Sequence, residues 1–376
     1  MARAKAKQPK RKKPWKWALL GVSLVILAVV GYFVYQAYGV YNGLDSLSKP
    51  TTDPKFTNYE VKTAEKPPEW EGKERVNILI MGGDNRGLQE NEKARSDSMM
   101  VVSVDPVKKD IHLFSVLRDT YVHIQDHGSD RINTAFAVGG PDLAMQTIGE
   151  VLGLDIQYYV YTDFEGFKSV IDAIGGIQNF DVEKDMNYVD NADGNRYDIH
   201  LKKGIQDLDG TKALQYVRFR HDAMSDFTRT ERQRKLLGAV ADKMKSGWSL
   251  LKMKNIVDSV QGYIKTNIGV DDMIKLGQLG VNSHIAGQAQ VPPMDLISGE
   301  KVGGASVLAI SDEDKLLQFV QDELQKDSTV APPADAQGAD GASGSVTNSS
   351  DGKSDGKSGG KTSGKSGGDT ANGSND

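Results

Sequence analysis

From Trp17 to Leu44 the chain runs 28 residues without a single charge, and no other feature restricts its folding as strongly. The segment "WALLGVSLVILAVVGYFVYQAYGVY" exceeds the ~20 apolar residues that a helix needs to cross the hydrocarbon core of a bilayer. It predicts a membrane helix over 17–41, with Trp15 and Trp17 at one headgroup level and Tyr35, Tyr38 and Tyr41 at the other. Ahead of it, residues 1–16 hold eight Lys or Arg and no acid. Alone, such an arm reads as a solvated tail or a nucleic-acid contact. Abutting an apolar helix, it sets topology: the arm stays in the cytoplasm and the rest of the chain lies outside. A cleaved signal peptide would have a shorter apolar core and a small-residue cleavage site. No A-x-A pattern follows Gly39, so the helix is expected to remain as a single-pass anchor.

The chain contains no cysteine, which suits an outside location without disulfides and excludes thiolate chemistry. None of its six histidines forms an H-E-x-x-H pair, so a zinc hydrolase is not expected. Residues 42–73, with Pro50, Pro54, Pro67 and Pro68, read as an extended extracytoplasmic linker. Residues 326–376 are rich in Gly, Ser, Lys and Asp and are expected to be a disordered tail. "GGKTSGKS" within that tail fits the P-loop pattern but lacks the preceding strand and following helix that give the pattern meaning.

Residues 74–325 predict one α/β domain. "RVNILIMGG", "SMMVVSVD" and "DIHLFSVL" are short, apolar, β-branched runs bounded by turn residues. "GGPDLAMQTIGEVLGL" has helical spacing with Gly and Pro at its start, "QYYVYTD" returns to a strand, and "DFEGFKSVIDAIGG" is a helix closed by a glycine pair. Such alternation implies a sheet covered by helices. From about Asp209 onward the chain is expected to be mostly helical.

The charged residues gather at element ends. Asp84 and Arg86 follow the first strand, Arg95 and Asp97 open the second, and Arg118 and Asp119 close the third; ends of strands are where open α/β sheets bind ligands. "VRFRHDAMSDFTRTERQR" adds Arg218 and Arg220, which share a face if the segment is extended. Arg229, Arg232 and Gln233 have helical spacing. Arg232 and Arg234 suit a solvated helix face; Arg218, Arg220 and Arg229 suit a site. Guanidiniums grip phosphate through planar paired hydrogen bonds, and the carboxylates Asp84 and Asp97 suit a hard divalent cation, Mg²⁺ or Mn²⁺, shared with phosphate oxygens. Phosphoryl chemistry is the common denominator.

"NILIMGGDNRG", "RSDSMMVVSVD", "SVLRDTYVHI", "DRINTAFAVGG" and "VRFRHDAMSDFTRTERQR", in that order behind an N-terminal anchor, resemble the successive signature blocks of the LytR-CpsA-Psr family of Gram-positive bacteria. The resemblance implies an extracytoplasmic domain with a central mixed β-sheet covered by helices. It implies a transferase that moves an anionic glycopolymer, such as wall teichoic acid, from a polyprenyl-diphosphate carrier to peptidoglycan, with membrane lipid and no nucleic acid as partner. Carried over, it places metal on Asp84 and Asp97, diphosphate on Arg86, Arg95, Arg118, Arg218, Arg220, Arg229 and Gln233, and catalysis on Asp97, Arg118, Arg218, Arg220 and Arg229. Either Asp97 or Asp226 serves as general base. Leu117 stands where the family commonly has proline and Thr228 where it has glycine, and neither change removes a charge. Helices around "LAMQTIGEVLGL" and "VIDAIGGI" would line a lipid pocket or simply pack the core. A transcriptional attenuator, a lipid diphosphate hydrolase and a lipid-binding protein are the alternative readings.

Overall fold

The computed structural model describes residues 15–49, 67, 69–83, 96–189, 195, 197–220, 225–246 and 252–326, excepting the side chains of 15–29 and 225–226. Most of the basic arm, most of the expected linker and the expected tail from 327 lie outside the described residues.

One helix, α1 (Trp15–Ser48), takes up the whole uncharged run. Its length, at 1.5 Å per residue, is roughly 50 Å. Among the described residues, which in α1 means side chains from Val30 onward, no helix is long and apolar enough to cross a membrane. The expected linker begins later than residue 42, because 42–48 continue α1. No helix breaker intervenes before Pro50, whose ring disfavours helix at the residue before it, and Gly43 and Leu47 are buried against the domain.

Strands β1 (Val76–Gly83), β2 (Ser96–Asp105) and β3 (Asp110–Val116) form an antiparallel meander. The hairpin β4 (Thr120–Ile124) and β5 (Gly128–Arg131) follows. Helix α2 (Thr134–Leu152) then crosses over to β6 (Tyr158–Asp163), which pairs parallel to β1. Next come α3 (Phe164–Ala173), the short strands β7 (Ile177–Val182), β8 (Met186–Tyr188), β9 (Ile199–Leu201) and β10 (Gly204–Leu208), and helices α4 (Gly210–Arg218) and α5 (Ser225–Met244). The remainder is α6 (Met253–Val260), β11 (Ile264–Thr266), α7 (Val270–Val281), β12 (His284–Val291), the hairpin β13 (Ile297–Val302) and β14 (Ala305–Ile310), and α8 (Glu313–Leu324). The central sheet has the order β11-β6-β1-β2-β3-β12 and mixes parallel with antiparallel pairs, as expected for this α/β class.

Alternation along each strand gives the sheet two unlike faces. On one, Leu79, Met81, Met99, Val101, Phe114 and Tyr161 pack against Phe136 and Ile148 of α2 and Leu316 and Val320 of α8. On the other, Val76, Val104 and Tyr158 close on Trp70 and Ile268 at one end of the strands. Towards the opposite end of that face Ile80, Met100 and Val160 border a cavity.

One sequence expectation needs correction and another needs extending. Helix α2 starts at Thr134, and "GGP" is a joint inside it: Gly140 takes φ 69°, a left-handed conformation that glycine tolerates, and Pro141 opens the second segment. The region after Asp209 is mostly helical, as expected, and it also supplies the strands β11 to β14. "HIAGQAQV" has one β-branched residue before its final Val and becomes β12 through its parallel register with β3, a tertiary effect that propensity does not contain. The turn of the β13–β14 hairpin is Gly303-Gly304, both at positive φ, which is the two-residue turn that twisted strands favour.

Candidate active site

Antiparallel pairing sets Gly83 opposite Ser96 and Met99 opposite Val116. The end of β1, the start of β2 and the end of β3 therefore meet at one edge of the sheet, joined by the end of β6 at Asp163. Gly83 has to be glycine here, because a Cβ would collide with the Tyr161 hydroxyl. Asp84, Arg86 and Arg95, expected at this edge, lie outside the described residues, as does the side chain of Asp226.

Asp97 and Arg118, 21 residues apart in sequence, form an ion pair through Oδ1 and Nη1. Arg118 is held from behind by Asp119, whose Oδ2 is 3.6 Å from Nε, and Asp119 in turn accepts from Arg131 Nη1 at 3.4 Å. Charge thus alternates along Arg131, Asp119, Arg118 and Asp97, fixing the orientation of a guanidinium that is only partly exposed. Arg131 was not among the expected site residues, although "DRIN" places it in a signature block.

The second half of the site comes from α4 and α5. Arg218 is the last residue of α4, Phe219 is extended, and Arg220 follows, so the pair is offered at a helix end. Arg218 Nη1 donates to the Tyr197 carbonyl at 2.9 Å, and its guanidinium lies 4.8 Å from the Phe164 ring centroid and 5.3 Å from that of Tyr197. This aromatic platform holds the cation flat without consuming its charge. Arg229 and Gln233, one turn apart on α5, border the same space, with Arg229 only 5% exposed.

Arg232 corrects the reading of this helix as solvated on its far side. It is buried, its Nε donates to Glu183 Oε1 at 2.7 Å, and its Nη1 donates to the Phe219 carbonyl at 3.1 Å. Tyr216 donates its hydroxyl to the other Glu183 oxygen at 3.0 Å. Burial alone would raise the Glu183 pKa, yet the hydrogen bond from Arg232, with those from the backbone and Tyr216, leaves it below the usual carboxylate range. The bracket clamps the peptide between Arg218 and Arg220 to α5.

Five of these groups open on one cavity of about 680 Å³. Asp97, Arg218, Arg220, Arg229 and Gln233 border it together with Ser98, Thr162 and Asp163, and the rest of the lining is mostly apolar, including Phe167, Val170, Leu237 and Val240. Arg118 reaches the cavity through its ion pair with Asp97 and does not itself line it. "VIDAIGGI" contributes Val170 and Ile171 to the wall, whereas "LAMQTIGEVLGL" packs Ala144, Ile148 and Leu152 into the opposite face of the sheet. Among the described residues no cluster of three or more acidic or histidine side chains is positioned for a metal ion.

A sequence model of the LytR_cpsA_psr family matches residues 38–325. The chain belongs to that family. A family relative from Bacillus mycoides, named polyisoprenyl-teichoic acid–peptidoglycan teichoic acid transferase TagU, is 35% identical over 264 residues, which cover 70% of this chain and 81% of the relative. Among solved structures, TagT bound to LI-WTA aligns with a TM-score of 0.57 at 28% identity, covering 72% of this chain and 98% of that one. TagT with bound octaprenyl pyrophosphate lipid aligns with a TM-score of 0.53 at 26% identity, covering 72% and 98%.

Proposed function

We infer that this protein is a membrane-anchored phosphotransferase that moves an anionic glycopolymer, wall teichoic acid or a similar polymer, from a polyprenyl-diphosphate carrier to peptidoglycan. The observation that carries this reading is the cavity itself. A largely apolar cavity bordered by three guanidiniums and the carboxylates Asp97 and Asp163 suits an amphiphile with a prenyl tail and a diphosphate head, and few other metabolites combine the two.

The reaction is substitution at the phosphorus nearer the sugar. A peptidoglycan hydroxyl oxygen forms the new P–O bond, the bridging P–O bond breaks, and polyprenyl phosphate leaves with the bridging oxygen. The hydroxyl proton passes to a base, for which Asp97 and Asp226 are the candidates. Arg218, Arg220 and Arg229 hold the non-bridging oxygens and stabilise the charge that grows on the leaving phosphate, which is where most phosphoryl-transfer catalysis resides. Gln233 adds a neutral donor, and Arg118 orients Asp97. A Mg²⁺ or Mn²⁺ ion would be held by Asp97 and Asp84, since such cations take one or two carboxylates plus phosphate oxygens. When bound it would neutralise diphosphate charge.

The uncharged run inside α1 and the basic arm before it support a single-pass anchor with the arm in the cytoplasm and the domain outside. The deciding experiment incubates full-length protein with radiolabelled polyprenyl-diphosphate glycan and peptidoglycan oligomers. Label attached covalently to the oligomers is expected. Label released with water as acceptor would make the protein a hydrolase, and retention without turnover would make it a carrier.

A further inference from the structure

Strand register sorts the floor of the cavity into rows. Val160, Ile80 and Met100 pair across β6, β1 and β2, and so do Thr162, Gly82 and Ser98, two residues and ~7 Å nearer the end of β1. All six border the cavity, so its floor passes from apolar to polar in a single step. Three charged groups belong to the polar side by separate contacts. Asp97 precedes Ser98 in β2. The Arg218 guanidinium lies 4.8 Å from the ring centroid of Phe164, two residues beyond Thr162. Arg229 is placed by the register of α5. Thr230 Oγ1 donates to Gln290 Oε1 at 3.3 Å, and Gln290 pairs through Ser115 and Met100 to the row of Ile80. Two turns on, a Cβ at Gly238 would touch Ile285 at 3.8 Å, and Ile285 pairs through Ile111 and Val104 to Val76. Helix α5 thus runs from the Ile80 row towards the start of β1, with its side chains leaning back towards the polar row. Leu237 and Val240 lie farther in, and the cavity is a bore with these charges at one end.

Gly82 and Gly83 differ in what they accommodate. A Cβ at Gly83 would run into the Tyr161 hydroxyl on the packed face. A Cβ at Gly82 would point into the cavity and, among the described residues, meet only Ser98, 3.4 Å from its Cβ and 3.5 Å from its Oγ. Those are ordinary van der Waals distances. Gly82 also lies in regular strand, without the positive φ that calls for glycine. Neither packing nor backbone conformation in the empty protein requires glycine there, so the notch is open space on the cavity floor. Beside it, Thr162 turns its hydroxyl to the Asp163 carbonyl at 3.4 Å, while Ser98 on the other side is partly exposed at the cavity.

We propose that the notch at Gly82 seats the prenyl-side phosphate of the carrier, with the Ser98 hydroxyl donating a hydrogen bond to it. This rests on reading the cavity as the prenyl-diphosphate site. With the prenyl chain on the apolar rows, the first phosphate falls on the first polar row, and the sugar-side phosphate lies beyond it, towards Asp97. The seated phosphate is the one that leaves with the prenyl chain, so a donor there stabilises the charge it gains as the bridging bond breaks. The missing side chain lets that phosphate approach the strand backbone closely.

The test titrates full-length wild type, Gly82→Ala and Ser98→Ala calorimetrically, in one detergent, with geranylgeranyl diphosphate, geranylgeranyl monophosphate and geranylgeraniol. Gly82→Ala should melt like the wild type, because its methyl has room in the empty protein. It should nevertheless bind both phosphates on the order of tenfold or more weakly, as overfilling a fitted site does. Ser98→Ala removes one donor to a charged group and should weaken both phosphates by about tenfold or more. Both variants should bind the alcohol as the wild type does. Wild-type affinity for the two phosphates in either variant would overturn the proposal. Equal weakening of the alcohol would overturn it too, by putting the prenyl chain on the notch. Loss confined to the diphosphate would also overturn it, by placing the sugar-side phosphate there instead. Failure of the underlying reading shows differently, because the wild type itself would then bind none of the three.

Discussion

The two faces of the central sheet draw on the same strands and end in opposite states. Within β1, Leu79 is fully buried under α2 and α8, while its neighbour Ile80 borders the cavity. The packed face has the density that folding selects, because voids forfeit both transfer free energy and dispersion contacts. The other face, packed on Trp70 and Ile268 at one end, leaves a cavity of about 680 Å³ over Ile80, Met100 and Val160 at the other. A chain able to pack one side of a sheet this well has the residues to pack the other, so the bore is better explained by a ligand than by poor packing.

Substitutions on the two faces should therefore fail in different ways. The largest effect is expected from Arg229→Ala at the charged end of the bore, which should reduce transfer by about 10²–10³-fold, the usual cost of removing one preorganised donor from a developing charge. Its melting temperature should stay near that of the wild type. On the packed face Leu79→Ala should cost about 2–5 kcal/mol of stability, seen in denaturant unfolding, with the turnover of the remaining folded protein preserved. Leu237→Trp, which fills the bore, should weaken binding of a prenyl diphosphate on the order of tenfold or more, the loss expected when several buried methylenes at ~0.8 kcal/mol each are displaced, with little change in stability. If Leu237→Trp lost stability and kept binding, the contrast between the faces would be broken.

The smallest effect concerns the bracket behind the arginines. The Glu183 carboxyl has a lowered pKa in the folded protein, so its contribution to stability is fully present above its unfolded pKa, about 4.3, and is lost as pH falls through the folded value. The gap in melting temperature between wild type and Glu183→Gln should be widest near neutrality and shrink progressively below about pH 4. A constant gap across that range would show that the ion pair with Arg232 does not depend on Glu183 charge.

Much of this was legible in the sequence for local reasons. β1 to β3 show their period in "NILIMGG", "SMMVVSVD" and "DIHLFSV", and Arg218, Arg220, Arg229 and Gln233 announce themselves by density. The remainder depends on topology. That Asp97 meets Arg118 follows from the register of β2 with β3, and that β12 is a strand at all follows from the open edge of β3. "LAMQTIGEVLGL" and "VIDAIGGI" look alike as apolar helices, yet one fills the packed face and the other the bore, a choice made by the direction of the crossover. Gly39 and Gly43 read as ordinary members of an apolar helix until α6 is set against them, and Arg232 reads as a surface charge until Glu183 arrives from 49 residues earlier.

The most direct test of the bore uses a polyprenyl diphosphate carrying a photoreactive group at the tail end, cross-linked to the full-length protein in vesicles and mapped by mass spectrometry. Adducts at Val170, Leu237 and Val240 are expected, and they should disappear in the presence of unlabelled carrier. Adducts concentrated instead at Met145 and Leu154, which border a separate cavity of about 480 Å³ beside α2, would contradict the assignment of the apolar bore to the prenyl chain.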